Sequence, residues 1–242
     1  MNGMNALELE NVSKSFGEFS LCDVSFRVPM GSALGLIGEN GAGKSTTISL
    51  ILGLIDADGG QIHVLNRPQD ENFTQVKEKI GVVFDESCFP DGINALRVDR
   101  IEQCIYKNWN SAAYFEHLRR FDLPPQKPFK DFSRGMKMKL SLAVALSHDA
   151  RLLILDEATG GLDPLARDEL LDELAEFIAD GNHAILLSSH IVGDIEKLCD
   201  RVAFLHKGRL ILDVEKQKLL EAHPNQTLEQ IILDMTREER CK

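Results

Sequence analysis

The chain has 242 residues, 43% hydrophobic and 27% charged, enough apolar material for one large α/β domain or a domain with a sizeable insertion. Its formal net charge of −11 argues against a nucleic-acid-coating surface, because phosphate neutralisation needs clustered Lys and Arg. No apolar run approaches the roughly 20 residues that span a bilayer, and residues 1–10 lack the basic start and apolar centre of a secretory signal.

Residues 6–12 alternate apolar and polar with Leu7, Leu9 and Val12 on one face, the pattern of a half-buried strand. Phe16 follows in a turn containing Ser and Gly. Residues 21–28 alternate again through Val24, Phe26 and Val28 until Pro29, Met30 and Gly31 end the run. These two strands predict an antiparallel sheet laid beside the main one. The apolar run 33–37 reads as a buried strand, and residues 46–54 as a helix with Ile48, Ile51, Leu52 and the following Ile55 on one side.

Between that strand and that helix lie Gly38, Glu39, Asn40, Gly41, Ala42, Gly43, Lys44, Ser45 and Thr46. They match G-x-x-x-x-G-K-[ST] at every specified position. The glycines let the backbone turn tightly and bring its N–H groups close to phosphate oxygens, and the helix N-terminus adds oriented donors. Lys44 supplies a charge towards the β- and γ-phosphates, and the Ser45 hydroxyl is placed to ligate Mg²⁺. An ordinary glycine turn with a surface lysine would not need the strand, the helix and the full spacing. The expected ligand is a nucleoside triphosphate.

Downstream, residues 56–60 form a turn, 61–65 a short strand, 72–79 a polar helix and 80–84 a buried strand ending at Asp85. From 87 to 147 strand signals disappear and helical ones take over at 93–106, 111–121 and 134–147, with Pro124, Pro125 and Pro128 between the second and third. This predicts a helical insertion. Alternation resumes with strands 152–155 and 184–187, helices 165–179 and 191–199, and a hairpin 202–205/209–212 around Lys207 and Gly208. Helices 214–222 and 227–235 follow. Such alternation implies a mostly parallel sheet with ligands at the carboxyl ends of its strands. Cys22, Cys88, Cys104, Cys199 and Cys241, odd in number and without a C-x-x-C pair, fit reduced thiols.

Residues 152–155 run straight into Asp156 and Glu157, which places two acids at a strand's carboxyl end. Successive strand residues face opposite ways, so the two have separate tasks. Asp156 is expected to hold Mg²⁺ through water and Glu157 to polarise the attacking water as general base. Solvated acids at a strand end are common, but these share a sheet with the glycine loop.

Phe132, Ser133, Arg134, Gly135, Met136 and Lys137 precede that strand in an order that resembles the L-S-G-G-Q signature of ATP-binding-cassette (ABC) ATPases, in an S-x-G-M-K form. Ser133 also reads as the N-cap of helix 134–147. Gly161, Leu162, Asp163 and Pro164 resemble the D-loop of that family, and Leu187, Ser188, Ser189 and His190 the strand ending in its switch histidine. The resemblance implies a P-loop NTPase core with an N-terminal antiparallel part and a helical insertion at about 87–147, together forming a single nucleotide-binding domain over 1–242. It implies ATP and Mg²⁺ as ligands, with Glu157 and His190 catalytic and Phe16 stacked on adenine. Ser133, Arg134, Gly135 and Met136 are then expected to face the nucleotide of a second cassette in a head-to-tail homodimer or heterodimer.

Two positions depart from the family pattern. Asp85 stands where glutamine is usual, and is expected to lie near the metal with Ser45 and Asp156. Arg134 replaces the first signature glycine; its charge either approaches the opposite nucleotide or points to solvent, with solvent slightly preferred. The signature form and the segment 226–233 resemble bacterial peptide- and drug-exporter ATPases. That implies separate membrane-spanning subunits, a location on the cytoplasmic face of the cell membrane and no nucleic-acid partner. A soluble ABC ATPase without a transport role, and a module that holds ATP without turnover, are the competing readings. Phe89, Tyr106 and Trp109 are expected to line the groove for the membrane subunit, or else to pack in the insertion's own core.

Overall fold

The computed structural model describes residues 4–70, 73–85 and 89–240. Strands β1 (Asn5–Phe16) and β2 (Phe19–Pro29) pair antiparallel as a long hairpin. Register shifts flank Val12, and Asn11 adopts a φ of 50°. A bulge of this kind inserts one residue and resets the alternation, so Leu7, Leu9 and Val12 all stay buried. Strand β3 (Ala33–Ile37) is buried at all five positions and leads through the glycine loop into α1 (Lys44–Ile51). Next come β4 (Gly59–Val64), β5 (Arg67–Pro68), α2 (Phe73–Lys77) and β6 (Ile80–Phe84).

The insertion carries α3 (Ala95–Ile105), α4 (Ser111–Arg120), a 3₁₀ turn at Phe129–Asp131, and α5 (Arg134–Leu146). Each helix is capped by its own preceding side chain. Asn94 accepts from Arg97 N, Asn110 from Ala113 N and Ser133 from Met136 N. Its interior is specified by Asp99, whose carboxylate accepts from Trp109, Ser111 and Gln103. Burial pushes this carboxyl up, but the three donors outweigh burial and hold it below the usual range.

The chain then runs through β7 (Leu152–Asp156), α6 (Pro164–Ile178), β8 (Ala184–Ser189), α7 (Val192–Leu198), β9 (Arg201–His206), β10 (Arg209–Glu215), α8 (Lys216–Ala222) and α9 (Leu228–Arg240). The helix expected from 214 starts only at Lys216, because Val214 and Glu215 continue β10 opposite Val202 and Arg201. Helix α9 opens on a reciprocal cap: Thr227 Oγ1 accepts from Gln230 N while Gln230 Oε1 accepts from Thr227 N. It docks through buried Leu228, Ile231 and Ile232.

The strand order is β5-β4-β1-β2-β10-β9-β3-β8-β7-β6. Neighbours from β9 to β6 are all parallel, whereas β5, β4, β1 and β2 are antiparallel to one another. The two parts meet where β10 touches β2 at Arg209 and Cys22. The N-terminal strands therefore extend one curled mixed sheet; they are not a separate sheet beside it. Alternate residues feed two cores. Leu34, Leu36, Leu152 and Ile154 pack with β1, β2 and α1, while Ile37, Leu153 and Leu155 pack with the insertion, α6 and α7. The parallel strands present their carboxyl ends, at Ile37, Phe84, Asp156 and Ser189, along one edge. That edge carries the chemistry.

Candidate nucleotide site

The loop after β3 is built for close backbone approach. Gly43 has a φ of 109°, and a Cβ there would meet the Phe19 ring at 2.9 Å, so no other residue fits without a shift. Gly43 precedes α1 without any side-chain cap, leaving the first-turn N–H groups pointing at the cleft. That cleft has a volume of about 510 Å³ and is lined by Phe19, Asn40, Gly41, Gly43, Lys44, Ser45, Thr46 and Glu157. A hollow of similar size (about 500 Å³) between β4 and α2 contains neither the glycine loop nor an acid pair from a strand end.

Lys44 is only 6% exposed. Its Nζ donates to Gly38 O at 2.8 Å and Glu39 O at 3.4 Å, and lies 3.0 Å from Glu157 Oε1. Glu157 Oε2 is in turn 2.5 Å from His190 Nδ1. Three residues, from the start of α1 and from the ends of β7 and β8, thus form one chain of contacts. Glu157 does not simply continue the pleat of β7, as strand alternation would have it. It takes a left-handed φ of 54° while its N–H donates to Ser188 O at 3.0 Å. This turn swings the side chain between Lys44 and His190, leaving Asp156 at the end of the ladder opposite Phe84 and Ser188. Asp156 Oδ1 is buried with no hydrogen-bond partner among the described residues. A buried acceptor without a donor fits a cation or its hydration water, so Asp156 suits the metal assigned to it.

Asp85 follows Phe84, the register partner of Asp156, and its carboxylate is paired with the Arg134 guanidinium. Arg134 is half-exposed: its guanidinium meets this partner while half of the side chain stays in solvent. No group of three or more His, Cys, Asp or Glu side chains is placed to hold a metal among the described residues. Ser133 and Asp163 both serve as helix caps, Asp163 accepting from Leu165 N and Ala166 N. Neither Ser133, Arg134, Gly135, Met136 nor Asp163 lines the chain's own cleft.

Phe16 sits at the tip of β1, 44% exposed, with Lys14 Nζ 5.6 Å from its ring centre. The ring against the glycine loop is Phe19, paired across the hairpin from Phe16. Its position in an apolar-polar strand gave no sign of this. Phe89, Tyr106 and Trp109 are half-buried and turned inward. Phe89 meets Phe129 edge-on, Tyr106 stacks on His148 with centres 3.9 Å apart, and Trp109 donates to Asp99. Of the two readings of these aromatics, packing within the insertion is the one with observed contacts. The more exposed apolar side chains nearby are Ile101 and Ile105 of α3.

The sequence pattern of a family described as ABC transporter matches residues 21–160, which include the glycine loop, the signature and the acid pair. The chain belongs to this family. It is 37% identical over 222 residues to "Nod factor export ATP-binding protein I" of Sinorhizobium fredii (strain NBRC 101917 / NGR234), covering 89% of this chain but 64% of that relative. It is 32% identical over 228 residues to "Lantibiotic transport ATP-binding protein SrtF" of Streptococcus pyogenes, covering 92% of this chain and 97% of the relative. The fold superposes on a solved "ATP binding subunit of ABC transporter" with a TM-score of 0.86 at 28% identity, over 96% of this chain and 99% of the other. The ABC assignment makes this chain a nucleotide-binding cassette of that family. No helix among the described residues is long and apolar enough to cross a membrane.

Proposed function

We propose that this cassette hydrolyses ATP to drive an exporter of peptides or drug-like molecules whose membrane-spanning part is supplied by separate subunits at the cytoplasmic face. The observation that carries the reading is the Lys44–Glu157–His190 chain at the rim of the glycine-loop cleft. In this reading the loop N–H groups and Lys44 bind the phosphates. Glu157 takes the proton of the attacking water at its carboxylate. His190 Nδ1 holds that carboxylate in place, and Phe16 and Phe19 offer faces for the base. Mg²⁺, held by Ser45 and Asp156, supplies positive charge to the β- and γ-phosphates when bound.

Residues 1–242 act as one domain in this account, with 87–147 as its helical insertion. The chain's own signature stands outside its own cleft, which supports a head-to-tail dimer in which each signature covers the other copy's nucleotide. An exporter role is supported by the two relatives, one named for Nod factor export and the other for lantibiotic transport.

The test is phosphate release from Mg²⁺–ATP by the full chain, with Lys44→Ala as control, followed by purification of tagged chain from membranes. Turnover lost in Lys44→Ala and a co-purifying membrane-spanning chain support the proposal. Turnover with no membrane partner would favour a soluble ABC ATPase, and ATP binding without turnover would overturn the enzymatic reading.

A further inference from the structure

The two residues that depart from the family pattern are each other's partner. Asp85 ends the loop edge of β6, and Arg134 is the first residue of α5, 49 positions later. A cation in the first turn of a helix is disfavoured by the helix dipole, and the Asp85 carboxylate offsets it. The guanidinium is also held from a second side. A Cβ at Gly161, where φ is 67°, would lie 2.9 Å from Arg134 Cζ and 3.0 Å from its Nη1, and one at Gly160 3.9 Å from Nη2. The planar group therefore rests on the backbone of the turn that leads from Glu157 to Asp163. Gly135 completes the contact, since a Cβ there would be 3.3 Å from Ala166 Cβ in α6.

We propose that Asp85 is a positioning residue for Arg134: the pair clamps the start of α5 to the Gly160–Gly161 turn and the end of β6, so that signature, D-loop and acid strand move as one unit during ATP hydrolysis. This rests on the ATPase reading above. Asp85 then influences turnover through Arg134 and leaves metal binding to Ser45 and Asp156. Arginine suits the task because a flat guanidinium can bond a carboxylate and lie against a glycine turn together, which a lysine ammonium cannot. Neither residue lines the chain's own nucleotide cleft, and in the head-to-tail dimer the phosphates facing the signature are held by the other copy's glycine loop, so loss of the clamp is expected chiefly in kcat and little in KM for ATP.

The experiment is a double-mutant cycle on the full chain with Asp85→Asn, Arg134→Gln and both together, reading kcat, KM for ATP and half-saturating Mg²⁺. Each single change is expected to lower kcat about fivefold or more, as a misplaced catalytic element does. The double variant is expected to be no worse than either single, because the two act as one device. KM and the Mg²⁺ requirement are expected to stay within about twofold, and Arg134→Lys to recover only part of the rate. Additive losses, or no loss in either single, overturn the clamp. A higher Mg²⁺ requirement in Asp85→Asn alone overturns it in favour of a metal ligand. Thermal melts of each variant show whether a lost rate reflects unfolding; Asp85→Ala, which also removes the charge, then replaces Asp85→Asn in the cycle. A wild-type chain that binds but never hydrolyses ATP would sink the ATPase reading itself, which is a distinct result.

Discussion

Replacing Glu157 by Gln tests two consequences of one contact. The carboxylate lies 3.0 Å from Lys44 Nζ, and Lys44 is 6% exposed, so arriving ATP must compete with Glu157 for the lysine. Glu157 Oε1 makes an ion pair with Lys44 and no hydrogen bond among the described residues, and a partly buried pair of unit charges contributes about 1.5–4 kcal/mol at an effective dielectric near 20. The lower end applies, because Lys44 keeps Gly38 O and Glu39 O and the Gln carbonyl can still accept. Losing about 1.5 kcal/mol of competition corresponds to roughly tenfold tighter ATP binding. Loss of the general base acts in the opposite sense on chemistry, at about 10²–10⁴-fold or roughly 3–5 kcal/mol of barrier. Glu157→Gln is thus expected to bind ATP more tightly while turning over at 1% of the wild-type rate or less, on the order of that range. Fluorescent-nucleotide titration measures the first effect and single-turnover phosphate release the second. Light scattering should show the trapped ATP-bound dimer. A rate within about tenfold of wild type would remove Glu157 from the base role. An unchanged affinity would show that its contact with Lys44 does not compete with nucleotide.

Two further outcomes follow from groups away from the site. Burial raises the Glu102 carboxyl above its usual value of 4.5, so the folded chain keeps that proton to higher pH than the unfolded chain. Stability from this group is present below the usual value and is lost as pH rises through the raised one; Glu102→Gln should therefore raise Tm at pH 8, with the gain fading towards pH 4. A gain independent of pH in thermal melts would mean the charge is not the cause. At Gly35 in β3 a Cβ would meet Ile195 Cγ2 of α7 at 2.5 Å, so Gly35→Ala should cost about 1–3 kcal/mol by overpacking. Ile195→Ala in the same chain should recover part of that cost, and strict additivity in chemical denaturation would show that the two do not meet.

Much of the fold was legible because its periodicity is local. Strands at 33–37, 80–84 and 152–155 are continuous apolar runs, as expected for strands covered on both faces. The helices of the insertion are opened by Asn94, Asn110 and Ser133, whose side chains accept from first-turn N–H groups. What escaped was the backbone that breaks its own rules. The β4–β5 hairpin turns through Leu65 and Asn66 with φ of 51° and 60°. Such a turn is announced by Asn-Gly or Asp-Gly, and leucine in its first place hides it. The Lys207–Gly208 turn carries its glycine and was visible.

The site divides along the same line. The glycine loop is legible because one unbroken stretch supplies strand, donors and charge, and Asp156 because it follows an apolar strand. The geometry of Glu157 is not, since alternation continues the pleat and nothing in Leu155, Asp156, Glu157 or Ala158 signals a left-handed residue. A non-glycine residue there costs about 1–2 kcal/mol and persists only where surrounding contacts hold it. Here they are the bond to Ser188 O, Lys44 and His190, contributed by β8 and its end and by the residue that follows the glycine loop. The strained turn exists only once the sheet has assembled, and so does the meeting of Asp85 with Arg134 across 49 residues. A sequence displays its ligand-binding loops because they are contiguous. It conceals how the groups that act on the ligand are aimed, because that aim is a property of neighbouring strand ends and is set by none of them alone.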